Sequence, residues 1–289
     1  MAEFRVRRLD HVGLVGTELA ALRGAWQRLG FAPTEPRPLL GRDPATGASV
    51  PLGQESCHVV LDGGYVELTA VAPGIRNHLD PWRVRGPGLH ILAIGAADAA
   101  VERARQAAAG LAVSPVMHAS RAIEYGERHG AAQFAWFMLE PAQSPELLVC
   151  TVEHRTPELV FQPEVQRHPN GAVGLDALVL VVAEPAREAA RFHGLFGGDL
   201  HCSADAARCR AGGESLELLT PAAFAARWPG APRPPVPGAG ALVLGCRDAG
   251  AVRAALSRAG VPFHRRGEST WVEPGVAGGV VVEFAPGDA

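Results

Sequence analysis

Leu9-Asp10-His11-Val12-Gly13-Leu14-Val15 decides how this chain is read. Its context returns at Gly88-Leu89-His90-Ile91-Leu92-Ala93-Ile94, with a second histidine in the matching place. Each stretch is an apolar run short enough for a strand, and each leads within a few residues into a helix that begins at a capping residue and closes on glycine. Two further copies stand at Leu175-Asp176-Ala177-Leu178-Val179 and Gly240-Ala241-Leu242-Val243-Leu244, with alanine where the histidines stood. The unit around each copy reads β-α-β-β-β. In the first, Leu19, Leu22, Trp26 and Leu29 mark one face of a helix capped by Thr17 and ending at Gly30. A Pro-rich irregular stretch follows, then strand-like runs at 57–61 and 65–71 joined by the hairpin signal Asp62-Gly63-Gly64. The second unit reads as a helix over 98–110 and strands over 116–125, 133–139 and 146–154.

Four such units in two pairs are a repeat architecture, because one unit cannot cover both faces of its own small sheet. The expected fold is α+β, with four βαβββ modules paired into two domains, each a curved mixed sheet forming a cleft with helices outside. A chain of 289 residues, 47% of them hydrophobic, has enough length and apolar surface for two cores. Residues 156–173 contain three prolines and a Pro-Asn-Gly turn signal. That segment is expected to link a domain over 1–155 to one over 174–289.

Composition narrows the function classes. The net charge is −3 and the arginines are scattered, so no phosphate-backbone footprint is present. No apolar run approaches the roughly 20 residues needed to span a bilayer. The N-terminus is charged where a secretory leader needs an apolar core, which predicts a cytoplasmic protein. The five cysteines are widely spaced with no C-x-x-C pair, as expected of reduced thiols. No phosphate-cradling glycine loop, nucleophile elbow or P-loop lysine is present. A small molecule is the expected partner, and pairing of two copies into a homodimer stays open.

LDHVGLV followed by a helix ending LGF, GGYVELTAV and GLHILAI together resemble the vicinal oxygen chelate superfamily, in particular its glyoxalase-like group. The stretch EHRTPELVFQPEVQRHPNGA also resembles a segment of two-domain glyoxalase-like proteins. The resemblance implies a divalent metal ion (Fe, Zn, Ni, Co or Mn) held by the first and last strands of two modules. Carried over by position, His11 and His90 match the first-strand ligands and Glu67 and Glu153 the last-strand ligands, with Glu146 and His154 open as alternatives to Glu153. Two imidazoles with one or two carboxylates suit a first-row ion that keeps positions open for substrate. The expected activity is isomerase or lyase chemistry on a small oxygenated metabolite, with Glu67 or Glu153 as base. One alternative is an Fe(II) ring-cleaving dioxygenase, and a second is a non-catalytic small-molecule-binding or resistance protein.

Arg121, Tyr125, Gln133 and Trp136 lie on the middle strands of the second module and are candidates for substrate binding, Arg121 by charge and Trp136 by stacking. The competing reading makes Trp136 core and sends Arg121 to solvent. Glu217 and Glu283 persist in the modules that lack histidine, so glutamate at this position also has a structural reading.

Overall fold

Strand β1 (Leu9–Gly16) is buried along nearly its whole length, as its unbroken apolar run requires of a strand covered on both faces. It pairs in parallel with β4 (Gly64–Val71) and antiparallel with β5 (Gly88–Gly95). Outward from β4 lie β3 (Ser49–Leu61) and β2 (Arg37–Arg42), and outward from β5 lie β8 (Leu148–His154), β7 (Gly130–Met138) and β6 (Met117–Ile123). The computed structural model describes residues 8–43, 45–211 and 213–287, so the charged segment over 1–7 lies outside the described residues.

In this half the sheet does not stop at an open cleft. The pairs Leu40↔Ser120 and Gly41↔Ala119 join β2 to β6 and close eight strands into a barrel. Closure depends on β2, which lies in the stretch expected to be irregular because Pro36 and Pro38 mask it. Helices α1 (Leu19–Arg28) and α3 (Ala99–Ala108) pack outside, and the short α2 (Asp80–Arg83) brings Trp82 to one end of the barrel. Turn and cap chemistry follows the sequence closely. Gly63 takes φ +73° in the β3–β4 hairpin, and the Asp98 side chain accepts the Ala100 and Val101 amides at the start of α3. Thr17 is an exception: the N-cap of α1 is Glu18, with no side-chain cap bond.

The segment expected to be a linker is a strap. It carries α4 (Pro157–Val160), and Gln162 Nε2 donates to the carbonyls of Tyr125 and Leu159 at 3.0 Å. His168 Nε2 meets Val60 O at 2.9 Å, and Asn170 Nδ2 donates to Leu29 O at 3.0 Å. Val160 and Phe161 pack into the barrel's interior cluster, so the strap stoppers the end opposite Trp82.

The second half contains β9 (Ala172–Val181), β10 (Asp199–Cys202), β11 (Ala206–Ala211), β12 (Glu214–Leu219), β13 (Gly238–Cys246), β14 (His264–Arg266), β15 (Ser269–Val272) and β16 (Val281–Pro286). They form one sheet in the order β10-β11-β12-β9-β13-β16-β15-β14. Its end strands are only four and three residues long, and they do not meet. Helix α6 (Pro221–Arg227), capped by Thr220, fills the concave face instead, with Phe224 and Trp228 packed on Ala177, Val179 and Val243. Helices α5 (Pro185–Phe196) and α7 (Ala249–Arg258) and the single-turn α8 (Pro274–Ala277) complete this half.

One apolar cluster runs through both halves and joins Val12, Leu14 and Leu92 of the barrel's outer face to Leu178, Leu180 and Leu242 of the second sheet. Trp26 of α1 is fully buried there and donates Nε1–H to Ala277 O at 3.2 Å. Truncating such a tryptophan to alanine costs about 3–5 kcal/mol, so the halves stabilise each other. No helix among the described residues is long and apolar enough to cross a membrane.

Candidate functional site

The pleat sends alternate side chains of each barrel strand inward. From β3 come Gln54, Ser56 and His58, from β4 Tyr65 and Glu67, from β6 Arg121, from β7 Phe134 and Trp136, and from β8 Cys150. With His11 and Ile91 most of these line a chamber. Leu39, His78 and Trp136 are half-buried at its mouth, whereas Tyr65 and Arg121 are buried deeper in.

Two bulges decide which histidine enters. Between β1 and β5, Leu9 pairs with Ile94 and His11 with Ala93, which leaves Asp10 as the extra residue on β1. Gly13 pairs with Ile91 and Leu14 with Leu89, which leaves His90 as the extra residue on β5. A Cβ on Gly13 would stand 2.5 Å from Ile91 Cδ1, so glycine there gives Ile91 its room. His90 therefore does not face the chamber, contrary to the sequence echo. Its Nε2 bonds Gly86 O at 2.8 Å at the barrel rim.

The registers extend the correction. Glu67 pairs with Gly13, two residues beyond His11, and the same step from Ile91 on β5 leads through Ala93 to Cys150 on β8. Ile91 and Cys150 thus occupy the places that His11 and Glu67 fill in the first module. Glu153 faces outward, where its Oε2 accepts the Ala99 amide at 2.9 Å and its Oε1 accepts Arg155 Nε at 3.1 Å. A carboxylate there supports the start of α3. Glu146 is also outside the chamber and accepts Arg191 Nη2 at 2.7 Å across the two halves.

His11 is oriented by its neighbour in sequence. Asp10 Oδ1 accepts from His11 Nδ1 at 2.7 Å and from His154 Nε2 at 3.0 Å. Burial pushes the Asp10 carboxyl up, but the His154 charge and the bonds from both imidazoles outweigh it and hold the group well below the usual range. The His11 ring stacks on Tyr65 at 4.4 Å between centroids, and its Nε2 lies 3.8 Å from Glu67 Oε2. Glu67 Oε1 is already held by Gln54 Nε2 at 3.0 Å and Ser56 Oγ at 2.6 Å. Burial raises the Tyr65 hydroxyl well above its usual range and lowers His78 to about 4.

Arg121 and Trp136 line the chamber, and Tyr125 borders its stoppered end with its hydroxyl on Val160 O at 3.3 Å. Gln133 does not line it, being exposed on the outer face of β7. Arg121 is buried rather than reaching solvent. Its guanidinium carbon lies 5.4 Å from the Phe134 ring centroid, and Nη1 meets His58 Nε2. Burial and the adjacent guanidinium keep His58 neutral by lowering it well below the usual imidazole range. Gln54, Ser56 and His58 went unnoticed in the sequence although they alternate along one strand face, the signal that locates them. Asp10 stood in the motif itself.

The donors do not make the four-ligand site that the resemblance implies. His11 Nε2 and Glu67 Oε2 are close enough to share an ion at the roughly 2.0–2.2 Å bonds of zinc-type sites, but Ile91 and Leu148 on the chamber wall are hydrocarbon and the Cys150 thiol is pushed up by burial. Among the described residues no group of three or more His, Cys, Asp or Glu is placed to hold a metal ion. In the second half, Glu217 and Glu283 lie two register steps beyond Ala177 and Ala241. Arg227 sits between them, with Nη1 on Glu217 at 2.5 Å and Nη2 on Glu283 at 3.4 Å. A guanidinium therefore bridges the carboxylates of that half.

Paired βαβββ modules with first- and last-strand residues facing a common interior define a vicinal oxygen chelate fold. The family model described as a glyoxalase-like domain matches residues 9–196, and the chain belongs to that family. A comparison with curated proteins finds no match. Among solved structures, a hypothetical protein from Staphylococcus aureus aligns with TM-score 0.61 at 9% identity, over 96% of this chain and 98% of the other. The Mn(II)-bound glyoxalase from Novosphingobium aromaticivorans aligns with TM-score 0.54 at 16% identity, over 97% and 82%. A mutant of 4-hydroxymandelate synthase from Streptomyces coelicolor aligns with TM-score 0.57 at 16% identity, over 96% and 91%. At these identities the likeness is one of fold.

Proposed function

We propose that this protein is an enzyme of the isomerase or lyase kind that works on a small organic molecule inside the N-terminal barrel, with His11 and Glu67 as its proton-handling pair. One observation carries the reading: Asp10 holds His11 through Nδ1, which leaves Nε2 facing Glu67 at 3.8 Å on the wall of the chamber. A carboxylate on Nδ1 sets the tautomer that makes Nε2 the base and supports the ring when it gains a proton. A bound molecule with a C–H beside a carbonyl gives that proton to Nε2 while the electron pair moves onto the carbonyl oxygen. Return of the proton at a neighbouring atom isomerises the molecule, and departure of a leaving group completes an elimination.

An Fe(II) dioxygenase needs a second imidazole free to bind beside His11. His58 and His154 are inside the barrel, but their Nε2 atoms are engaged by Arg121 and Asp10, which favours proton transfer. A second reading, a non-catalytic binding protein, draws support from the largely apolar walls. All five cysteines are free, which supports a reducing, cytoplasmic setting. Deuterium exchange into a panel of small ketones and 2-oxo acids in D2O, followed by proton NMR, tests the proposal. Exchange with the wild type that disappears in His11→Ala is expected. Binding without exchange would favour the second reading, and exchange that survives His11→Ala would remove His11 as the base.

A further inference from the structure

The barrel buries a positive charge. Arg121 is 4% exposed, and among the described residues it makes no ion pair. Its Nη1 meets His58 Nε2 and the Tyr125 hydroxyl lies beside the guanidinium, while Nε and Nη2 are buried and complete no hydrogen bond of ordinary geometry. A desolvated guanidinium with two idle donors is strongly unfavourable unless something completes it. The two idle nitrogens are not arbitrary. Nη1 lies on the Cδ side of the guanidinium plane, so Nε–H and Nη2–H point in parallel from one edge. That edge is the fork a carboxylate binds with both oxygens.

The walls select the rest of the ligand. Tyr65 and Phe134 lie 5.9 Å and 5.4 Å from the guanidinium carbon, and Trp136 and Leu39 extend the apolar surface toward the mouth. Glu67, which also lines the chamber, disfavours a second negative charge on the ligand. We propose that Arg121 binds the carboxylate of an aromatic monocarboxylic acid whose ring packs against Phe134 and Trp136. This rests on the chamber being the working site, and it names the class of molecule that site takes.

Calorimetric titration of the full chain with 2-naphthoate and with its uncharged isostere 2-naphthamide tests the assignment. The acid is expected to bind the wild type at least tenfold more tightly than the amide. Arg121→Met should erase that preference, and Arg121→Lys, which keeps the charge but lacks the fork, should weaken the acid at least threefold. Circular dichroism checks that the variants fold, and the comparison of acid with amide in the wild type needs no variant. Equal affinity for acid and amide would overturn the assignment and leave the chamber reading standing, as would a preference that persists in Arg121→Met. Binding of neither probe would overturn the assignment as well, and the deuterium-exchange assay then judges the chamber independently.

Discussion

In an Asp10→Asn variant, the carboxylate that both His11 and His154 bond is replaced by an amide of the same shape. A hydrogen bond to a charged group contributes about 1.5–3 kcal/mol and a neutral one about 1 kcal/mol, so the pair of bonds weakens by about 1–4 kcal/mol in total. Relief of the burial cost of the charge offsets part of that loss, leaving a destabilisation of about 2 kcal/mol at neutral pH. The sign with pH follows from the lowered Asp10 carboxyl, whose ordinary value is 3.8. A group whose folded-state value is depressed contributes its stability above the ordinary value and loses it as pH falls toward the folded one. The gap between wild type and variant should therefore be full at pH 7 and shrink progressively below about pH 4. Urea unfolding followed by circular dichroism at pH 7 and pH 3 measures it. Equal stability at pH 7, or a gap as large at pH 3 as at pH 7, would refute the claim that the ionised Asp10 organises the two imidazoles.

Other expectations follow from the placement of side chains. Glu153→Gln should lower stability by about 1 kcal/mol through the start of α3, and neither it nor His90→Ala should alter deuterium exchange; loss of exchange in either would return that residue to the site. Arg227→Met leaves Glu217 and Glu283 facing each other with less compensation and should destabilise by about 3 kcal/mol in thermal unfolding. Adding Glu283→Gln should recover part of the loss, and a variant as stable as wild type would show that the bridge is dispensable. Elemental analysis of protein purified without chelator should find well under one transition-metal ion per chain, unchanged in His201→Ala and His264→Ala. One ion per chain, lost in His11→Ala, would contradict the donor set described above.

Much of the architecture was legible because its signals are local. The repeated apolar runs, the Asp62-Gly63 turn and the Asp98 cap each act over a few residues. The chamber was harder to read because a bulge of one residue reverses which side chains face inward, and nothing in the period-two pattern marks it. His11 and His90 match letter for letter, yet the bulge on β5 sends Ile91 inward. Barrel closure escaped notice because Pro36 and Pro38 disguise β2, and the strap did so because its prolines read as a linker while Val160 and Phe161 pack inside the barrel. Arg121 was readable as a candidate by charge, but its burial and idle fork depend on pairing with strands far away in the chain.

We propose the N-terminal barrel as a ligand chamber with Arg121 at its head. A crystal structure of the protein with 2-naphthoate tests it most directly. One ligand is expected in the barrel, its two oxygens about 2.7–2.9 Å from Arg121 Nε and Nη2, with the ring toward Trp136. A ligand bound only in the second half, or its carboxylate held elsewhere in the barrel while the Arg121 fork stays idle, would contradict it.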